Sequence, residues 1–188
     1  MLGVSHPVFG CLIGARVHGD GATLRATDYA TRLVECEVGF LIGQDVPLQD
    51  TPYRAETIGP HVAAALPAIE VVEHHFASID RVTSTSLVAD NALHGVALEN
   101  WRDLELAMDT RLLVNGEATL TGSAAKVLGH PLAALAWLAN ELPARGLSLR
   151  AGEFVTTWVT TDEIYPAEAG DRLTAEFAGL GSVRLDIV

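Results

Sequence analysis

Apolar and polar residues alternate along residues 32–43, RLVECEVGFLIG. Side chains of a β-strand point alternately to its two faces, so this segment is predicted to be a strand with one wholly apolar face. That face carries Val34, Cys36, Val38, Phe40 and Ile42 and is predicted to pack in the core. The opposite face carries Glu35, Glu37, Gly39 and Leu41.

Glu35 and Glu37 share one face of this strand, about 7 Å apart at a rise of about 3.3 Å per residue. A buried and unpaired carboxylate costs on the order of several kcal/mol. A hard divalent cation would offset that cost because it takes oxygen ligands, and Gly39 leaves room for an approaching group. The alternative is a solvated outer face, which the spacing alone favours.

The pattern elsewhere predicts more strands than helices. Helices are predicted over residues 61–67, ending at Pro67, and over HPLAALAWLANEL, where Pro131 lies in the first turn and Gly146 beyond the end. Strands are predicted over residues 68–76, as a hairpin over residues 107–123 with an Asn-Gly turn, and in EFVTTWV, RLTAEFA and SVRLDIV. Residues 1–25 predict short strands with a turn at HGDG, and residues 90–92 predict a turn. The predicted fold class is α+β, with residues 1–188 as one domain.

The charge balance excludes partners that need a basic surface. The 188 residues include 24 acidic and 12 basic side chains, giving a net charge of -12. Binding to nucleic acid or to anionic membranes depends on clustered Lys and Arg, so neither is expected. The two cysteines, Cys11 and Cys36, are too few for a disulfide framework. The first residues lack the features of a signal peptide and no apolar stretch reaches membrane-spanning length, which predicts a cytoplasmic protein.

Seven segments, taken in order, resemble one protein family. They are HPVFGCLI, RLVECEVGFLIG, LPAIEVVE, VADNALHG, VNGEATLTGSAAKVLGHPLAALAWLANEL, RGLSLRAGE and AEAGDRLTAEFAGLGSV. Together they resemble the 2-keto-4-pentenoate hydratases and 4-oxalocrotonate decarboxylases of the fumarylacetoacetate hydrolase superfamily, over nearly the whole chain. The resemblance implies a mixed β-sandwich roll with a few flanking helices.

The resemblance also implies a metal site and a reaction. Glu35, Glu37 and Glu70 match the positions at which the family holds Mg²⁺ or Mn²⁺. Carboxylate oxygens suit these hard cations. The implied enzyme is a metal-dependent lyase, of the hydratase or decarboxylase type. It would act on a small 2-keto or 2-hydroxydienoic acid through a stabilised enolate.

Candidate catalytic and substrate-binding residues lie in or beside the same segments. His74, on the predicted strand face of Glu70, and Asp90 are predicted to transfer protons. The predicted substrate-binding residues are Phe9, Gly10, Leu12, Asn91 and Trp158. The alternative for His74 is a polar histidine outside the chemistry, and for Asp90 and Asn91 it is ordinary turn formation.

Three departures from the family pattern fall on the acid–base groups. The family's N-terminal helical segment and its Gly-x-Lys-Ile-Gly strand, which carries a catalytic lysine, have no match. Val8 replaces an acidic residue and Trp158 replaces a glycine, while Lys126 is interpreted as a surface residue. The alternatives are therefore a cyclase, isomerase or dehydratase of a biosynthetic intermediate, or a non-catalytic partner subunit. A homodimer or larger homo-oligomer is expected in each case.

Overall fold

A computed structural model describes residues 7–73, 89–95 and 100–188, with the backbone alone for residues 89–93. The strands are β1 (Val17–Gly19), β2 (Ala22–Leu24), β3 (Leu33–Ile42), β4 (Val62–Val72), β5 (Ala89–His94), β6 (Asp109–Val114), β7 (Glu117–Ser123), β8 (Phe154–Thr156), β9 (Tyr165–Pro166), β10 (Arg172–Phe177) and β11 (Gly181–Ile187). The α-helices are α1 (Ala55–Ile58) and α2 (Pro131–Glu141). Short 3-10 helices cover Gly14–Arg16, Ala26–Asp28, Gly59–His61, Trp101–Asp103, Ala124–Lys126 and Leu142–Arg145.

The described strands form two mixed sheets. The first has the order β1-β5-β4-β3-β8, with β9 also paired to β3, and the second has the order β2-β11-β10-β6-β7. Most neighbouring strands are antiparallel, but β1 runs parallel to β5 and β2 runs parallel to β11. Residues of both sheets and of α2 share one hydrophobic cluster. These sheets and few helices confirm the predicted α+β class.

The alternation along β3 is confirmed. Its apolar face, formed by Val34, Cys36, Val38, Phe40 and Ile42, is at most 1% exposed. The Phe40 ring meets the edge of Trp101 at a centroid distance of 6.3 Å. The opposite face therefore carries both glutamates away from this core.

The prediction of a helix over residues 61–67 is wrong. Residues 62–67 belong to β4, which pairs with β3 from Val62 to Val72, while His61 ends a 3-10 helix. Alanine-rich sequence favours a helix, but pairing and burial on both faces outweigh this local preference. Pro67 is compatible with the strand because its carbonyl accepts from Gly95 N at 2.8 Å. A backbone N–H at this position would point to the same side, where β5 has already ended. Proline therefore removes no hydrogen bond between β4 and β3.

The prediction of a turn over residues 90–92 is also wrong, because these residues lie within β5. The short strands around HGDG are confirmed, but they enter different sheets: β1 pairs with β5 and β2 with β11. Within residues 68–76, the predicted strand is confirmed as far as Val72. Residues 74–76 lie outside the described range.

The other local predictions are confirmed, except that the strand predicted over EFVTTWV covers only Phe154–Thr156. Asn115 and Gly116 have φ angles of 55° and 87°, as a two-residue turn between β6 and β7 requires. At the start of α2, His130 Nδ1 accepts a hydrogen bond from Leu132 N at 3.1 Å. Among the described residues, no helix is long and apolar enough to cross a membrane.

Candidate metal centre

Three glutamates come together on the outward face of the β3–β4 pair. Glu35 lies directly opposite Glu70, and Glu37, two residues further along β3, lies opposite Ala68. Each glutamate offers one carboxylate oxygen, and these three oxygens lie within 4.8 Å of one another. The antiparallel register therefore completes a three-carboxylate cluster from residues far apart in sequence.

Glu37 is the innermost of the three. Its side chain is 2% exposed, and Glu37 Oε2 is buried without a hydrogen-bond partner among the described residues. Glu35 and Glu70 are half-buried. A buried carboxylate oxygen without a partner is costly, so the cluster provides a position that a cation would satisfy.

The electrostatics agree with this geometry. Burial, followed by the charge of Glu70, raises the pKa of Glu35 to about 8. Burial and the charges of its two neighbours raise the pKa of Glu37 well above its usual value, against a smaller opposing effect of Thr156. Burial also raises the pKa of Glu70. Carboxylates held this close repel one another when ionised, and a divalent cation would reverse that repulsion.

A short aromatic wall borders the cluster. Gly39 continues the face of Glu37 and pairs with Thr156 of β8. The ring of Phe154 lies above Gly39, where an added Cβ would come within 2.6 Å of Phe154 Cε2. The ring of His94 lies beside the Phe154 ring, at a centroid distance of 5.4 Å.

Sequence reasoning did not select His94 or Phe154 as site residues. His94 ends β5, which the sequence pattern presented as a loop, so its strand face was hidden. Phe154 lies more than a hundred residues after Glu37, and only the pairing of β8 with β3 brings it here. For Phe154 the available signal was indirect: strand alternation places Gly39 on the face of Glu37, where a glycine leaves space for a neighbouring side chain.

The described substrate-binding candidates differ in their surroundings. Phe9 packs edge-on against Trp137 at a centroid distance of 6.0 Å, and Arg145 lies over its ring at 4.7 Å. Gly10 is exposed and Leu12 is half-buried. Trp158 is 43% exposed, in the segment that follows β8. Their roles in substrate binding stay predictions.

The predicted proton-transferring residues fall at the border of the described structure. His74 lies outside the described residues, and Asp90 and Asn91 are described as backbone of β5 only. Asn91 pairs with Val71 in the sheet. Lys126 forms an ion pair with Asp162, and both side chains are exposed, which agrees with its interpretation as a surface lysine.

Comparison with known proteins identifies the family. The family model for the fumarylacetoacetate (FAA) hydrolase C-terminal region matches residues 4–188. The chain belongs to the fumarylacetoacetate hydrolase family. This membership confirms the resemblance found in the sequence and accounts for the mixed two-sheet fold.

Individual relatives show which members of the family the chain resembles. A 2-keto-4-pentenoate hydratase of Paraburkholderia phymatum is 34% identical over 189 residues, covering 97% of this chain and 71% of that protein. A 4-oxalocrotonate decarboxylase of Pseudomonas sp. (strain CF600) is 30% identical, covering 97% of this chain and 70% of that protein. The solved 4-oxalocrotonate decarboxylase of Pseudomonas putida G7, complexed with magnesium and adipate, has a TM-score of 0.87 at 25% identity, covering 100% of this chain and 72% of that chain.

Proposed function

We propose that this chain is a divalent-metal-dependent lyase of the hydratase or decarboxylase type. Its substrate would be a small 2-keto or 2-hydroxydienoic acid. The observation that carries the proposal is the three-carboxylate cluster, whose oxygens lie within 4.8 Å of one another. Glu37 Oε2 is also buried with no hydrogen-bond partner in the described part of the chain. Relatives named as hydratases and decarboxylases, at 30–34% identity, support the same reaction class.

Glu35, Glu37 and Glu70 would hold Mg²⁺ or Mn²⁺. Three carboxylates form a donor set that suits a hard cation. The magnesium complex of the Pseudomonas putida G7 decarboxylase supports this choice. When bound, such a cation polarises a carbonyl and stabilises the negative charge that develops on its oxygen.

Each residue of the proposed site is assigned a role in binding the cation or the substrate. Buried Glu37 would anchor the cation from below, while half-buried Glu35 and Glu70 hold it from the accessible side. Phe154, lying over Gly39, offers an apolar wall for the carbon chain of the acid and excludes water beside it. The predicted proton-transferring residues are His74 and Asp90. Phe9, Gly10, Leu12, Asn91 and Trp158 complete the predicted set as substrate-binding residues.

Calorimetric titration with Mg²⁺ and with Mn²⁺ tests the metal site. The wild type is expected to bind, and the double variant Glu35→Gln/Glu37→Gln is expected to show no binding. Glu117→Gln, which removes an exposed carboxylate at the start of β7, is the matched control and should bind as the wild type does. A folded wild type that binds neither ion would contradict the proposal.

Turnover of 2-hydroxypenta-2,4-dienoate, followed by its ultraviolet absorbance, tests the reaction. Loss of absorbance that requires Mg²⁺ or Mn²⁺ and fails in the double variant would support the lyase. Metal binding without turnover of any dienoate would instead favour a cyclase, isomerase or dehydratase, or a non-catalytic partner subunit. Light scattering on the same samples tests the expected homo-oligomer.

A further inference from the structure

We propose that His94 is the base that activates water in this site, and that the chain is therefore a hydratase. The inference rests on the proposed function, because it needs a 2-keto-enoic acid beside the carboxylate cluster. It goes further by naming the residue that moves the proton and by choosing hydration over decarboxylation.

The register of three strands places His94 on the face of the carboxylate cluster. His94 pairs with Ala68 across β5 and β4, and Ala68 pairs with Glu37 across β4 and β3. Residues paired in this way share one face of the sheet. His94 is thus two strands from Glu37, about 10 Å at the usual strand spacing. The residue between them on this face is Ala68, whose side chain is a single methyl group.

The hydrogen bond of His94 Nδ1 determines which nitrogen of the neutral ring carries the hydrogen. His94 Nδ1 lies 3.1 Å from Gly95 O, and because a carbonyl oxygen only accepts, Nδ1 carries the hydrogen. Gly95 cannot easily move, since its N–H donates to Pro67 O at 2.8 Å and an added Cβ would lie 2.6 Å from Ser182 O. In the neutral ring, Nε2 therefore has the free lone pair and is a proton acceptor.

Phe154 fixes the orientation of the same ring. Its ring reaches across Gly39 to His94, and the two rings are inclined by 54°. This reach depends on glycine at position 39, where a Cβ would collide with Phe154. His94 is held by a hydrogen bond at Nδ1 and by an aromatic contact, while the ring nitrogen remote from the backbone is Nε2. A base held in place in this way can act on a water molecule beside the substrate.

The step we infer is water addition to the 2-keto-3-enoate form of the substrate. Nε2 takes one proton from water as the water oxygen bonds to C4, and the C3=C4 electron pair moves towards the carbonyl oxygen. The imidazolium then returns the proton to C3 as the C2=O bond re-forms. Water has been added across C3=C4, and His94 ends as it began. Decarboxylation has no such need for a base at the start, because loss of CO₂ leaves a carbanion that requires an acid.

The tautomer is measurable without turnover. A two-bond ¹H–¹⁵N correlation spectrum of the histidine rings, recorded on the metal-free protein at a pH where the rings are neutral, distinguishes a hydrogen on Nδ1 from one on Nε2. The signals of His94 are those that disappear in His94→Asn. We expect a hydrogen on Nδ1 and none on Nε2, and the opposite tautomer would overturn the proposal.

His94→Asn also separates a catalytic role from a structural one. The Asn amide can still donate to Gly95 O, but no group replaces Nε2. We expect kcat for hydration of 2-hydroxypenta-2,4-dienoate to fall about 10²–10⁴-fold. KM and the calorimetric affinity for Mg²⁺ should stay within about twofold of wild type, and added imidazole should restore part of the rate to His94→Ala. His18→Asn is the control, since His18 pairs with Leu93 and so lies on the opposite face of the sheet.

The outcomes separate the two proposals. If the wild type binds Mg²⁺ and hydrates the dienoate, but His94→Asn keeps more than about a fifth of the wild-type kcat, the role of His94 is refuted and the lyase stands. A wild type that releases CO₂ from 4-oxalocrotonate and hydrates no dienoate also refutes it. A wild type that binds no metal and turns over neither acid refutes both proposals.

Discussion

Glu35→Gln should stabilise the metal-free protein, and the gain should grow with pH. The pKa of Glu35 is raised from 4.5 to about 8 by burial and by the charge of Glu70. Between these pH values the folded protein holds a proton that the unfolded chain releases, so stability falls as the pH rises. A working pH of about 7 lies about 2.5 pH units above the ordinary pKa of 4.5. At about 1.4 kcal/mol per pH unit, this lowers the stability of the folded protein by about 3 kcal/mol. Glutamine has a similar shape and no charge to protonate, so the variant avoids that cost.

Urea unfolding in the presence of a chelator measures this difference. Wild type, Glu35→Gln and the exposed control Glu117→Gln are compared at about pH 4.5, 6 and 7. The difference between wild type and Glu35→Gln should be near zero at the lowest pH and reach about 3 kcal/mol near neutrality. Glu117→Gln should follow the wild type at every pH, because its carboxylate is exposed.

Added Mg²⁺ should make the wild type more stable than Glu35→Gln. At about a thousand times its dissociation constant, a cation that binds only the folded state stabilises by about 4.1 kcal/mol. The wild type should gain this amount, and Glu35→Gln should gain much less. A wild-type stability that is independent of pH in the chelated protein, together with an equal effect of Glu35→Gln at all three pH values, would refute the electrostatic reasoning.

Three further substitutions test the packing of the fold. Gly122→Ala should cost about 3 kcal/mol or more in urea unfolding, because the added Cβ would lie 2.1 Å from Thr160 O, a backbone atom. Gly39→Ala should displace the Phe154 ring, cost about 1–3 kcal/mol and shift the ring's aromatic proton resonances, and an unchanged spectrum would contradict the close contact. Leu135→Ala, at a fully buried position of α2, should lower the free energy of unfolding by about 2–5 kcal/mol, measured in the same way.

The sequence by itself determined the elements whose signals are local. Strand β3 was predictable because five alternating apolar residues define a buried face within a single segment. The β6–β7 hairpin follows from Asn115-Gly116, which readily adopt the positive φ angles of the turn. Helix α2 follows from His130 and Pro131 at its start. The family resemblance added Glu70 as the third predicted ligand, which the spacing of Glu35 and Glu37 did not indicate.

Only the tertiary structure decided how these pieces form a site. Strand β4 contradicts its local helical preference, because β3 and β5 on its two sides provide pairing that no short window of sequence reveals. The same register places Glu70 opposite Glu35 and His94 in line with Glu37. A shift of one residue would turn every side chain to the other face, so the register, which depends on long-range pairing, determines the chemistry of the site.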